Sequence, residues 1–142
     1  MNLFNDTELF VTGSRGTKEF NLPDADVMLV DNFFSKEESD SFYNSLMNEI
    51  PWREYEMPMY DKIVTAPRMI SWHQDKEENI PLGNAPEFTA DLNEIRERVE
   101  TQTDLKFNAV LLNLYRNGSD SVSSHSDKID RSGSNPIIAS LS

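Results

Sequence analysis

Residues 107–127 read FNAVLLNLYRNGSDSVSSHSD, and the fold assignment turns on this stretch. In an extended chain successive side chains point to opposite faces. Ala109, Leu111, Asn113 and Tyr115 therefore share one face, and Val110, Leu112 and Leu114 the other. One face is wholly apolar; the other ends in an amide and a phenol. Asn113 and Tyr115 either aim hydrogen-bonding groups into a pocket or mark a strand end emerging at the surface, and composition does not separate the two. Asn-Gly-Ser-Asp at 117–120 is a turn signal. The segment after it, read as a short strand, places His125 and Asp127 two residues apart on one side. An imidazole and a carboxylate at that spacing can take adjacent positions on one metal ion, and a second His from another strand would complete a facial triad for non-haem Fe(II).

His-x-Asp alone is a weak signal. The same spacing recurs at His73-Gln74-Asp75, and the chain has only these two histidines. With no cysteine, disulfides, thiolate zinc sites and cysteine nucleophiles are excluded together. Any metal must be held by His, carboxylate or water.

Working outward, residues 135–142 (NPIIASLS) alternate like another strand, and residues 106–116 like a long one. From Glu87 to Thr103, Phe88, Leu92, Ile95 and Val99 mark an amphipathic helix, with Arg96 and Arg98 expected on its wet side. In RMISWHQ, residues 68–74, Met69, Ser71 and His73 alternate against Ile70 and Trp72; WREYEM, 52–57, is also strand-like. Ser35 with Glu38 three residues later is a capping box, Phe42, Leu46 and Ile50 repeat every four residues, and Pro51 stops that helix. The apolar run from Asp26 is strand-like. Residues 1–23 are expected to be a loosely attached arm with one short strand around Leu9–Val11.

The chain has 142 residues, about one domain, with 37% hydrophobic residues and a net charge of −12. Nonspecific attraction to phosphate is disfavoured by that charge. It is unevenly distributed: nine Lys and Arg stand against 21 acids in residues 1–102, but four against four in 103–142. A local nucleic-acid face is compatible with the neutral C-terminal part. Neither a basic start with an apolar run nor a membrane-spanning apolar stretch is present in the sequence, which predicts a soluble, cytoplasmic protein without a membrane partner.

The ordered series of Asn113-x-Tyr115, the Gly118 turn, His125-x-Asp127 and NPIIASLS resembles the AlkB family of Fe(II)/2-oxoglutarate-dependent dioxygenases, specifically its nucleic-acid repair branch. The resemblance runs back through APRMISWHQD and covers about residues 26–142. It implies an α+β chain with a double-stranded β-helix (jelly roll), incomplete at the C-terminus, two helices backing the larger sheet, and residues 24–142 as the N-terminal portion of the domain. It implies that His125 and Asp127 are the catalytic iron ligands, that Asn113 and Tyr115 bind 2-oxoglutarate, and that Arg68 and Trp72 lie in a substrate lid, His73 being a lid residue and not a ligand. The implied cofactors are Fe(II), the cosubstrate 2-oxoglutarate and O2. The implied reaction is oxidative dealkylation of alkylated bases, in DNA in preference to RNA, with Trp72 clamping a flipped base.

Three departures stand out. Where the family places an acid two residues beyond the iron carboxylate, this chain has Ile129, then Asp130. Ile80-Pro81-Leu82-Gly83 stands where a pair of lid aromatics is usual. The chain ends at Ser142 inside an alternating segment, which predicts a missing second iron His and missing 2-oxoglutarate arginines, and an exposed edge near Ile137–Leu141 open to self-association. A substitute triad built on His73 would need the lid strand to rotate into the core. Two other functions compete: a dioxygenase of this fold acting on a protein or small molecule, and a noncatalytic interaction module.

Overall fold

The computed structural model describes residues 16–76, 85–125 and 137–142. It divides into two compact units, residues 1–45 and 46–142.

The first unit contains a hairpin of β1 (Thr17–Leu22) and β2 (Ala25–Val30), in register from Thr17↔Val30 to Leu22↔Ala25. Its turn is Pro23-Asp24, where proline presets φ and Asp24 takes φ 59°, the φ signs of a type II turn. Residues 17–22, read from sequence as the end of an arm, are thus the outer strand of a hairpin. The strand expected around Leu9–Val11 lies outside the described residues. Phe33 and Phe34 meet edge to face with centroids 4.8 Å apart, and Phe34 meets Phe42 at 5.1 Å.

Helix α1 (Lys36–Glu49) begins as its capping box dictates. Glu38 N donates to Ser35 Oγ at 3.2 Å, and Ser35 N donates back to Glu38 Oε2 at 2.8 Å. It ends before Pro51, and Ile50 is buried beside the break.

In the second unit β3 (Arg53–Met59), β4 (Lys62–Gln74) and β5 (Ala109–Leu114) form an antiparallel sheet in that order, with β4 central. Glu54 pairs with Met69 and Glu56 with Thr65, so Ala66, Pro67 and Arg68 bulge opposite Tyr55. Proline has no N–H for a ladder, and a bulge is where its absence is harmless. Pro58 is tolerated for a related reason, because β3 is an edge strand.

Helix α2 (Ala90–Thr103) joins β4 to β5. Thr89 caps it by accepting Leu92 N at 3.3 Å, and Asp104 closes it in the left-handed region at φ 56°. Leu92 and Val99 are its buried residues. Arg96 was expected on the wet side, and the structure corrects this: four residues after Leu92 and three before Val99, it lies on the same stripe. Its side chain is only 21% exposed. Nη1 donates to both oxygens of Asp75 at 2.9 and 2.8 Å and to the Phe107 carbonyl at 3.2 Å; Nη2 reaches Asn93 Oδ1 at 2.6 Å. The guanidinium lies 4.0 Å from the Phe88 ring centroid. One arginine thereby ties the helix to the end of β4 and the approach to β5.

Three expected strands need correction. The long strand of 106–116 contracts to β5, and neither residues 121–125 nor 137–142 are in strand. A strand needs a ladder, and among the described residues 121–125 meets the sheet backbone where Ser121 N donates to the Pro67 carbonyl at 2.8 Å. Ile137, Ile138 and Leu141 are exposed, and residues 137–142 form no strand among the described residues. Among the described residues no helix is long and apolar enough to cross a membrane.

Candidate active site

Strand alternation divides the sheet of β4 and β5 into two different faces. Ser71 and His73 are buried on one, paired across the strands with Leu112 and Val110. On the other, Ile70 pairs with Asn113, Trp72 with Leu111 and Gln74 with Ala109, and Leu111, Asn113 and Tyr115 are exposed. Asn113 accordingly stands on the open face, where the alternation of β5 puts it, and Tyr115, one residue beyond β5, is exposed.

Arg68 and Trp72 belong to that same open face, two positions either side of Ile70. Arg68 Nε donates to Asn113 Oδ1 at 3.0 Å, joining two residues 45 apart in sequence. Trp72 is 36% exposed, and its indole N–H donates to Gln74 Oε1 at 3.1 Å. The residue is therefore not an ordinary buried strand tryptophan; its ring lines the open side.

The two His-x-Asp sequences separate by burial. His73 is 1% exposed. Its Nδ1 lies 2.8 Å from the Glu87 carbonyl, which can only accept, so Nδ1 carries the hydrogen; Nε2 meets the Ser71 hydroxyl at 3.1 Å. Asp75 is engaged by Arg96. His73 is thus tied to the segment that leads into α2, and Asp75 to α2 itself. His125 is exposed, and its Nδ1 faces the Ser123 carbonyl at 2.9 Å. A carbonyl can only accept, so in this contact Nδ1 is the donor, and a neutral imidazole then has its lone pair on Nε2. Asp127 lies outside the described residues, as do Glu77, Glu78, Ile80–Gly83, Ile129 and Asp130. Among the described residues, no three His, Asp or Glu converge to hold a metal ion.

Sequence reading missed what sets the path from Tyr115 to His125. Arg116 Nε and Nη2 grip the two oxygens of Asp120 at 2.8 and 3.0 Å, and Arg116 N donates to the same carboxylate at 2.9 Å. Asn117 closes the turn inside this clamp, its carbonyl accepting Asp120 N at 3.1 Å and its Oδ1 accepting Ser119 N at 2.9 Å. Arg116 Nη1 also reaches Glu54 Oε1 at 3.3 Å, on β3. The Asp120 side chain is 6% exposed. Hydrogen bonds from the Arg116 side chain and then its backbone N–H hold the Asp120 carboxyl below the ordinary aspartate range, and the same pairing raises Arg116. The available signal was an Arg and an Asp four residues apart, flanking Asn-Gly-Ser.

Among the described residues, His125 and Asn113 are donors of the types that the groups implied by the sequence resemblance would need. The lone pair on His125 Nε2 suits a divalent ion, and the Asn113 amide N–H, which stands on the open face, and the exposed Tyr115 hydroxyl suit an oxygen-rich acid.

The open face thus carries the Asn113 amide, the Arg68 guanidinium and the Trp72 indole, and the turn that follows β5 is held by Arg116 and Asp120. Residues 26–142 match the 2OG-Fe(II) oxygenase superfamily, and the chain belongs to it; within it the chain is of the AlkB family. That superfamily works with Fe(II), 2-oxoglutarate and O2. The chain is similar to the alpha-ketoglutarate-dependent dioxygenase alkB homolog 3 of Bos taurus and of Homo sapiens, at 34% identity over 119 residues in each, and to that of Mus musculus at 32%. In each case 82% of this chain is covered, and it spans 42% of the relative's length.

Proposed function

We propose that the chain is part of a jelly-roll dioxygenase domain that oxidatively removes N-alkyl groups from nucleic-acid bases, in DNA in preference to RNA. The observation that supports this best is the common open face of β4 and β5, where Arg68, Trp72 and Asn113 stand together, with Tyr115 one residue beyond β5, and from which the clamped turn leads to His125.

In this reading His125 Nε2 and Asp127 hold Fe(II). Asn113 donates an amide N–H, and Tyr115 its hydroxyl, to 2-oxoglutarate. The bound metal and cosubstrate supply the oxidation of the alkyl carbon by O2, with 2-oxoglutarate passing to succinate and carbon dioxide. The hydroxylated carbon then leaves the base nitrogen as an aldehyde. Arg68 meets the substrate by charge, and the exposed ring of Trp72 gives a base taken out of its stack a surface to lie on.

The test is to incubate the chain, and any longer protein containing it, with Fe(II), 2-oxoglutarate and an N-methylated oligonucleotide, and to measure succinate and formaldehyde. Equal release of the two that is lost in His125→Ala supports the reading. Succinate without formaldehyde from any methylated oligonucleotide sinks the choice of substrate. The net charge of −12 favours a second reading, a dioxygenase acting on a protein or small molecule; oligonucleotide binding that is absent at low salt would point there.

A further inference from the structure

The bond from Arg68 to Asn113 has a direction, and the direction has a chemical consequence. Guanidinium Nε–H can donate but never accept. The Asn113 atom 3.0 Å from it must therefore be Oδ1. With the amide oxygen committed to Arg68, the NH2 group is turned to the other side of the Asn113 side chain.

That orientation matters because an amide is two-faced. Rotated by half a turn, Asn113 would present its oxygen to a ligand, and a carboxylate or keto oxygen opposite it would meet a second acceptor. Held as it is, Asn113 presents two N–H donors, the only polarity that suits an acid. No backbone geometry enforces the choice, since both orientations fit the same rotamer. Asn113 pairs with Ile70 across the ladder, and Arg68 is the diagonal neighbour whose long side chain spans the gap.

We infer that Arg68 is a positioning residue for 2-oxoglutarate: through Nε it fixes the Asn113 amide with NH2 toward the ligand. This rests on the function proposed above and gives Arg68 a task distinct from substrate contact. Four N–H donors of the guanidinium lie on its two terminal nitrogens, so the same side chain can meet a phosphate or base while Nε holds Asn113.

The test uses ¹⁵N-labelled chain, following the Asn113 side-chain amide and the Arg68 Nε–H by NMR during titration with 2-oxoglutarate in the presence of Mg(II). Arg68→Ala, Arg68→Lys, Asn113→Ala and the Arg68→Ala/Asn113→Ala double variant are titrated alongside. The expected result is a shift of the Asn113 NH2 protons in the unmodified chain and affinity weakened about fivefold by Arg68→Ala, the size of one modest hydrogen bond. Arg68→Lys should recover part of the loss, and Arg68→Ala should add nothing once Asn113 is alanine. A merely structural effect of Arg68 would persist in the Asn113→Ala background. Unchanged affinity and unchanged Asn113 signals in Arg68→Ala would overturn the inference while leaving the proposed function standing. Failure of saturating 2-oxoglutarate to move Asn113 or Tyr115, in the chain and in a longer protein that contains it, would overturn the proposed function, and the inference with it.

Discussion

Arg116 and Asp120 face each other across the turn Asn117–Ser119, each carboxylate oxygen meeting a different guanidinium nitrogen at 2.8 and 3.0 Å. The clamp fixes how the chain turns between Tyr115 and His125. Because the pairing lowers the Asp120 pKa, its stabilising contribution is complete above the ordinary aspartate pKa of about 3.9 and is lost as pH falls through the lower folded-state value. Melting temperature measured from pH 6 down to pH 2 should therefore fall less steeply below about pH 4 in Asp120→Asn than in the unmodified chain. Parallel acid limbs would show that Asp120 is not a group whose protonation unfolds the protein.

Arg96 is a hub and not a solubilising charge. Arg96→Ala should destabilise the chain by about 1.5–3 kcal/mol, because Asp75 and the Phe107 carbonyl lose a charged donor. Arg96→Lys should recover only part, since an ammonium cannot reproduce the planar fork. Urea denaturation of the three proteins checks this; a loss below 0.5 kcal/mol (roughly the scale of a surface change) would return Arg96 to the wet side.

His73 is proposed here to be structural. His73→Ala should cost about 2–4 kcal/mol through the cavity and the unpaired Ser71 and Glu87 groups. It should leave the metal affinity of whatever fraction remains folded unchanged, whereas His125→Ala should lower that affinity with little change in stability. Co(II) titration followed by absorbance, beside urea melts, separates the two histidines; the opposite pattern would exchange their roles.

Tyr60 occupies the β3–β4 turn at φ 57° with its ring fully exposed. A left-handed conformation costs a non-glycine residue roughly 1–2 kcal/mol, and here no packing offsets it. Tyr60→Asn should raise stability by about 0.5–1 kcal/mol, asparagine tolerating that region. A lower melting temperature in Tyr60→Asn would mean that the exposed ring makes a stabilising contact.

What could be read directly from the residues was local. The Ser35/Glu38 capping box, the break at Pro51, the Asn117–Asp120 turn and the alternation that puts Leu111 and Asn113 on one face each involve residues within a few positions of one another. Backbone sterics and short-range hydrogen bonds decide such features, and they carry their signature in the sequence. The membership of the chain in its family followed from the same short ordered motifs.

Other features depended on partners far along the chain. His73-Gln74-Asp75 and His125-Ser126-Asp127 are alike in spacing, and only tertiary structure separates the buried His73 from the exposed His125. Arg96 looked solvent-bound until Asp75, 21 positions earlier, was seen beside it. Residues 121–125 and 137–142 have strand-like alternation but no ladder among the described residues, because a strand is defined by its neighbour and not by its own pattern. The contact of Arg68 with Asn113 belongs to the same class: it exists because β4 and β5 pair antiparallel across an intervening helix, which no periodicity within either strand specifies.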